Sequence, residues 1–209
     1  MLRQGILSTV TVPTEWCSGI VLFPKPNRRV RLCVDLTPLN KVVQREAHPM
    51  GSVDAGEPCQ AWWKKSIREI DANSGFWQIP LDERWKLLTT FVTLFGRFYF
   101  NRLPFGISFA PEIFQCTMSD ILEGLDGVIW QMEDILIRGR NQMEHGVRVW
   151  AVLFRLQRAG LTLNIQKWEF SQGRLEFLGH IVDAQGVHVD PEKTLAVGHF
   201  PTPTTVTER

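Results

Sequence analysis

The nine residues Ile129–Ile137 (IWQMEDILI) set two apolar arms around Glu133 and Asp134. Arms this short, split by a polar centre, suit a tight antiparallel β-hairpin with an acidic tip rather than a helix. Other segments show both periodicities. Val30–Asp35 alternates as a half-buried strand, Ser66–Asp71 (SIREID) reads as a short strand ending in a carboxylate, and Phe98–Phe100 suggests another. Asp82 suits the N-cap of a short helix carrying Trp85, Leu87 and Leu88. Pro111 suits the first residue of a helix whose apolar face is Phe114, Met118, Ile121, Leu122 and Leu125. Asn141 with Glu144 is a capping signature for a second helix, apolar along Val149, Val152, Leu153 and Leu156 and stopped by Gly160. Leu161–Asn164 and Leu175–Val182 read as further strands, 49–58 as an irregular connection, and PTPTTVTER as a linker or the start of another element. Strands, helices and a hairpin in this mixture predict an α+β fold, an antiparallel sheet with helices on one face.

A chain of 209 residues is large enough to bury a core without disulfides or a structural metal. The 23 basic residues nearly balance 22 acidic ones, which excludes a bulk polycation. Binding to nucleic acid would need local clusters of charge. Cys17, Cys33, Cys59 and Cys116 are far apart and form no C-x-x-C pair, so free thiols in a reducing compartment are expected rather than a zinc site. Neither a membrane-spanning apolar run nor a secretory leader is recognisable. The expectation is an intracellular protein, in cytoplasm or nucleus, without a membrane partner.

Asp71 closes one strand, and Glu133 and Asp134 occupy the hairpin tip. If those strands are neighbours, three carboxylates converge. Crowded carboxylates hold their charge poorly unless a cation shares the site. Mg²⁺ accepts one or two protein carboxylates and keeps positions open for phosphate oxygens, so the cluster suits two-metal phosphoryl transfer. The plain alternative is a solvated acidic turn. Lys25, Arg28, Arg29 and Arg31 put four cations in seven residues, either a solvated hairpin or a counter-charge for phosphates.

PTEWCSGIVLFPKP, VRLCVDLTPLNK, DANSGFWQIPL, LLTTFVTLFGRFYFNRLPFGISFAPEIFQ, EHGVRVWAVLFRLQRAGLTLN and FLGHIVDAQGVHVDPEK follow one another over almost the entire chain. Together they resemble the reverse transcriptase domain of Gypsy-type LTR retrotransposons, relatives of retroviral polymerases. The resemblance implies a polymerase right hand, fingers and palm interwoven over 1–190, with a ferredoxin-like antiparallel palm sheet. Residues 191–209 would begin a truncated thumb or connection region, and ribonuclease H and integrase regions have no counterpart. The implied activity is RNA-directed DNA polymerisation: nucleotidyl transfer from a deoxynucleoside triphosphate to a primer 3′-hydroxyl on an RNA or DNA template. It would use two Mg²⁺ ions, with Mn²⁺ as a substitute, within a Pol polyprotein. By the same resemblance, Asp71, Glu133 and Asp134 are the catalytic and metal-holding residues. Lys25, Arg31, Phe76, Phe105 and Gly106 contact the incoming nucleotide, with Phe76 beneath the sugar as the gate against a 2′-hydroxyl. Phe177, Leu178 and Gly179 are the primer grip, although an ordinary core strand reads equally well there. Asp35 organises the fingers.

Some positions depart from the family pattern. Glu133 stands where the first aspartate of the x-Asp-Asp hairpin belongs, and its extra methylene displaces the carboxylate by roughly 1.5 Å, where about 1 Å can cost about a hundredfold in rate. Gly51–Lys65 (GSVDAGEPCQAWWKK) replaces a hydrophobic helix. Leu94 stands where a proline is frequent, and Trp85, Trp130 and Trp168 where smaller or polar residues are usual; several of these are expected to overpack a buried site. These departures leave a second reading open, a catalytically inactive or co-opted nucleic-acid-binding remnant. A third, an unrelated metal-dependent phosphotransferase, is disfavoured by the LPFG and FLG contexts.

Overall fold

In the computed structural model, residues 1–24, 30–43, 66–71, 75–163, 169–172, 174–177, 179–183, 186–189, 191 and 194–195 are described. Their order is β1 (Leu7–Thr9), β2 (Ile20–Pro24), β3 (Val30–Val34), α1 (Thr37–Asn40), β4 (Ser66–Asp71), α2 (Glu83–Lys86), β5 (Phe91–Thr93) and β6 (Gly96–Phe100). There follow α3 (Ala110–Leu122), β7 (Val128–Gln131), β8 (Asp134–Gly139), α4 (Gln142–Arg158), β9 (Glu169–Gln172), β10 (Arg174–Phe177), β11 (His180–Asp183) and β12 (Gly186–Val189). Four antiparallel sheets result: β7-β8-β4-β9, β1-β6-β5, the hairpin β2-β3, and the meander β10-β11-β12. The α+β architecture read from the residue pattern is the one observed.

The two long helices cover one face of the β7-β8-β4-β9 sheet. Phe114, Met118 and Leu122 of α3 and Val149, Val152 and Leu156 of α4 enclose Val128, Ile135 and Ile137. Alternation puts Ile135 and Ile137 on the helix side, each contributing roughly 1.5–3 kcal/mol by leaving water. A second core gathers Leu7, Val34, Leu36, Leu39, Phe91, Phe100, Leu103, Ile107 and Ala110 from the strands and loops of the other half. Phe76 and Ile79 pack against both cores.

The helix ends follow their local chemistry. Asp82 caps α2 by accepting from Arg84 N (3.0 Å), and the Arg84 side chain and backbone N–H together hold its carboxyl below the usual aspartate range. Asn141 Oδ1 accepts from Glu144 N (2.9 Å), while Glu144 Oε2 accepts from Arg140 N (2.7 Å), one residue before the position an ideal capping box would use. Gly160 (φ 73°) ends α4, with Gly160 N donating to Gln157 O and Leu161 N to Leu156 O, the paired bonds of a Schellman motif.

Several expectations shift. Helix α3 starts at Ala110, with Phe109 as N-cap, so Pro111 is its second residue; the missing N–H is harmless anywhere in that first turn. Leu161 and Thr162 are not in a strand, and Leu175–Val182 is not one strand but the arms of the β10–β11 hairpin, turned at Gly179 (φ 79°). Leu94 is fully exposed, Trp85 is nearly half exposed, and Trp130 is half-buried with Nε1 donating to Ser119 Oγ (3.3 Å), so the expected overpacking does not arise at these residues. Trp168, the 51–65 segment, the 49–58 connection and the tail from 201 to 209 lie outside the described residues.

Where β8 hands over to α4, Gly139 is buried, and a Cβ there would lie 2.6 Å from both Cβ and N of His145 and 2.7 Å from its Cα. Those are mostly backbone atoms of the first turn of α4 and cannot swing away. Gly139→Ala is therefore expected to lower stability by about 1–3 kcal/mol, read as an earlier urea midpoint with unchanged slope. An unchanged midpoint would mean that α4 docks more loosely than this.

Candidate functional site

Strand β4 pairs with β8 from Ser66↔Gly139 to Asp71↔Asp134. The last residue of one strand thus faces the first residue of the next, and side chains at directly opposed positions have Cβ atoms about 4.5–5.5 Å apart. Only the backbone of Asp71 is described. Two of the three expected carboxylate positions are direct cross-strand neighbours.

The third sits in the turn. Strands β7 and β8 pair as Gln131↔Asp134, so Met132 and Glu133 form a two-residue loop. Met132 has a positive φ of 55°, a strained value for a side chain of this kind, and its N–H is fixed by Gln115 Oε1 of α3 at 2.7 Å. Glu133 Oε1 accepts from Gly75 N at 3.2 Å. Gly75 opens a 3₁₀ turn (Gly75–Gln78) and has no room for a side chain: a Cβ would lie 2.7 Å from Phe114 Cζ and 3.0 Å from Glu133 Oε1.

From this turn an aromatic row leads to the second core. Phe76 lies 4.9 Å from Phe105 and 5.6 Å from Phe114 between ring centroids, and Trp77 lies 5.6 Å from Phe105. Phe105 is half exposed. Gly106 takes φ 97°, and its carbonyl accepts from Asn40 Nδ2 (2.8 Å), while Asn40 Oδ1 accepts from Ser108 N (2.9 Å). One amide thereby ties α1 to the loop that carries Phe105. Just before α1, Asp35 Oδ1 accepts from Thr37 N (3.1 Å), and the hydrogen bonds from the Thr37 side chain and backbone draw its carboxyl below the usual range.

The remaining expected residues are more dispersed. Arg31 stands in β3 opposite Phe23 of β2, on a different sheet from Asp71, and its side chain is outside the description. Lys25 and Leu178 lie outside the described residues. Phe177 is 1% exposed at the end of β10, so its side chain belongs to the interior, and the turn at Gly179 is what the hairpin presents. Among the described residues no group of three His, Cys, Asp or Glu side chains is arranged to hold a metal ion; the Asp71 side chain is outside that set. Gly75, Gln115 and Asn40 are positioning residues that the sequence reading did not single out. A glutamine on the buried side of an otherwise apolar helix was the one signal available for Gln115.

Residues 23–182 match the family described as reverse transcriptase (RNA-dependent DNA polymerase). The chain belongs to the reverse transcriptase family. It is 36% identical to the retrovirus-related Pol polyprotein from transposon opus of Drosophila melanogaster, aligned over 100% of this chain and 21% of that protein. It is 31% identical to the corresponding polyprotein from transposon gypsy of the same fly, over 97% of this chain and 20% of the relative. The reverse transcriptase domain therefore spans about a fifth of these relatives' length. Foamy viral protease-reverse transcriptase in complex with double-stranded DNA superposes with a TM-score of 0.84 at 25% identity, over 99% of this chain and 36% of that one. The same viral protein bound to an RNA/DNA hybrid gives 0.80 at 24% identity, over 99% of this chain and 28% of that one. The sheet β7-β8-β4-β9, covered on one face by α3 and α4, is thus the antiparallel palm-type sheet expected of this fold.

The Met132 N–H ends its bond on the uncharged amide of Gln115. Gln115→Leu, similar in volume, would strand that amide in a half-buried site at about 1–3 kcal/mol. Hydrogen exchange at the Met132 amide should accelerate by about tenfold or more, with protection along β4 retained. Unchanged exchange would show that the turn is held by its strands alone.

Proposed function

We propose that this domain is an RNA-directed DNA polymerase whose chemistry is carried by Asp71 and Asp134 at their shared β4–β8 register. The primer 3′-oxygen attacks the α-phosphorus of a template-matched deoxynucleoside triphosphate, the new P–O ester forms, and pyrophosphate leaves with the bond it breaks. An all-oxygen donor set on two opposed strand positions fits a hard divalent cation, Mg²⁺ or Mn²⁺, which prefers few protein carboxylates plus phosphate oxygens. When bound, such ions supply Lewis acidity toward the phosphates and the hydroxyl. Asp71 and Asp134 would hold them, and Glu133 would assist.

The remaining roles fall to the chain's own side chains. Lys25 and Arg31 neutralise triphosphate charge. Phe76 supports the deoxyribose, its ring braced by Phe105 and Phe114. Phe105 and Gly106 line the pocket for nucleotide and template, and the β10–β11 turn with Leu178 and Gly179 holds the primer end. An RNA or DNA template with its primer is the partner, by analogy with the nucleic-acid complexes of the foamy viral protein. The remainder of a Pol polyprotein would be its covalent neighbour. Among the described residues no helix is long and apolar enough to cross a membrane, and residence in cytoplasm or nucleus is proposed accordingly.

A second reading, nucleic-acid binding without turnover, draws on the tether between Glu133 Oε1 and Gly75 N, which engages one carboxylate oxygen away from any ion. Primer extension on poly(rA)/oligo(dT) separates the two. Incorporation of dTMP above an Asp71→Ala control supports the polymerase; template binding without extension supports the second reading. Shortening Glu133 removes its reach to Gly75 N and restores the family's side chain. Glu133→Asp is expected to raise the extension rate at least about tenfold, equivalent to roughly 1.4 kcal/mol of barrier. An equal or lower rate in a protein with unchanged circular dichroism would move the defect to another part of the chain.

The aromatic at 76 yields a separate expectation. In Phe76→Ala the ring that would meet a 2′-hydroxyl is gone, and discrimination between dTTP and UTP should fall by at least about tenfold, a loss of roughly 1.4 kcal/mol. An unaltered ratio would assign sugar selection to a different side chain.

A further inference from the structure

Helix α4 has two apolar sides. Val149, Val152 and Leu156 are buried against the palm sheet. On the opposite side Met143, Val147, Trp150 and Phe154 are 82%, 63%, 71% and 50% exposed. Their spacing of four, three and four residues is that of alternating d and a positions in a heptad, a straight seam along one side of the helix. Single exposed apolar side chains are ordinary on a protein surface; a continuous row of four, including a tryptophan, marks a contact surface. Gly146 flanks the row, and nothing lies within 4 Å of where its Cβ would be. A glycine inside a helix costs about 1 kcal/mol relative to alanine, and no packing among the described residues offsets that cost. It would let a second backbone approach closely.

The charges beside the seam indicate what covers it. With Met143 and Trp150 at d and Val147 and Phe154 at a, the e positions are Glu144, Ala151 and Arg158. In an antiparallel pair of α4 helices each a residue meets a d residue of the other copy, so Val147 faces Trp150 and Met143 faces Phe154, twice by symmetry. That register sets Glu144 of one copy opposite Arg158 of the other, again twice, with Ala151 near the two-fold axis. A parallel pair would instead set these e positions opposite the uncharged g positions Gly146 and Leu153, leaving Glu144 and Arg158 without a charge partner across the seam. Glu144 is fixed beside the seam by Arg148 (2.9 Å) on one carboxylate oxygen and Arg140 N (2.7 Å) on the other, so a cation of the second copy would share these oxygens. Arg158 lies over the Phe154 ring (5.7 Å to the centroid), on the seam itself. Arg155, which donates to Ile121 O (3.1 Å), is turned toward α3.

We propose that α4 is a homodimerisation surface, pairing antiparallel with α4 of a second copy of this chain. The seam supplies the affinity, and the Glu144–Arg158 pairs, exposed at the rim, set direction more than strength. One helix pair is a small interface, so dissociation constants of about 10–100 μM are expected.

Sedimentation velocity of the full 209-residue chain, from about 2 to about 200 μM, tests this across the expected range. The weight-average mass should rise from monomer toward dimer, and Trp150→Glu should remain monomeric throughout. Arg158→Glu, which opposes Glu144 with a like charge, should weaken association at least about tenfold. Adding Glu144→Lys to it should restore association, with circular dichroism verifying that α4 is intact in each variant. A wild-type chain that stays monomeric, including one whose seam serves a different partner, overturns the proposal. So does a dimer undiminished in Trp150→Glu, or failure of the charge reversal to rescue a helix that is still folded.

Discussion

Strand β8 cannot slip by one residue against β4 without turning Ile135 and Ile137 out of the helix-covered core, because strand side chains alternate faces. Holding the register is worth several kcal/mol at roughly 1.5–3 per buried side chain. The repulsion of two carboxylates at opposed positions, about 0.2–1 kcal/mol in water, is smaller. Apolar burial thus forces Asp71 and Asp134 into a juxtaposition that their charges alone would resist. A site of this kind is built by its core, here the Ile135 and Ile137 side chains under α3 and α4.

Much of this was legible from the residues. The hairpin at 129–137, the strand ending at Asp71, the Asp82 and Asn141 caps and the buried rows of α3 and α4 all follow local rules that a linear pattern carries. The β10–β11 hairpin was missed because Leu175–Val182 has no strong turn pair; a lone glycine at 179 is the sole mark of reversal. Overpacking at Leu94 and Trp85 was misjudged for a related reason. Size and polarity do not tell which way a residue in a turn or a one-turn helix faces; Leu94 is fully exposed and Trp85 nearly half exposed. The site was legible only as a set of positions. That one oxygen of Glu133 would rest on Gly75 N, or that Asn40 would span Gly106 and Ser108, depends on contacts between residues 58, 66 and 68 apart in the chain.

The tether between Glu133 and Gly75 gives the departure from the family a physical form. A glutamate in the turn reaches the backbone of the next segment and caps one of its donors. The extra methylene that separates glutamate from aspartate is what carries the carboxylate oxygen to that donor.

Phe76 and Ile79 lie against both cores, with Phe105, braced by Asn40 through Gly106, resting on Phe76. The two clusters therefore share flanking side chains across their boundary. Loosening either one strips neighbours from the same two side chains, a physical reason for the unfolding of one cluster to be coupled to the other. The same contacts make an unbroken path from Asn40 of α1 through Gly106, Phe105 and Phe76 to the Gly75 turn, whose N–H bonds Glu133 in the acidic hairpin.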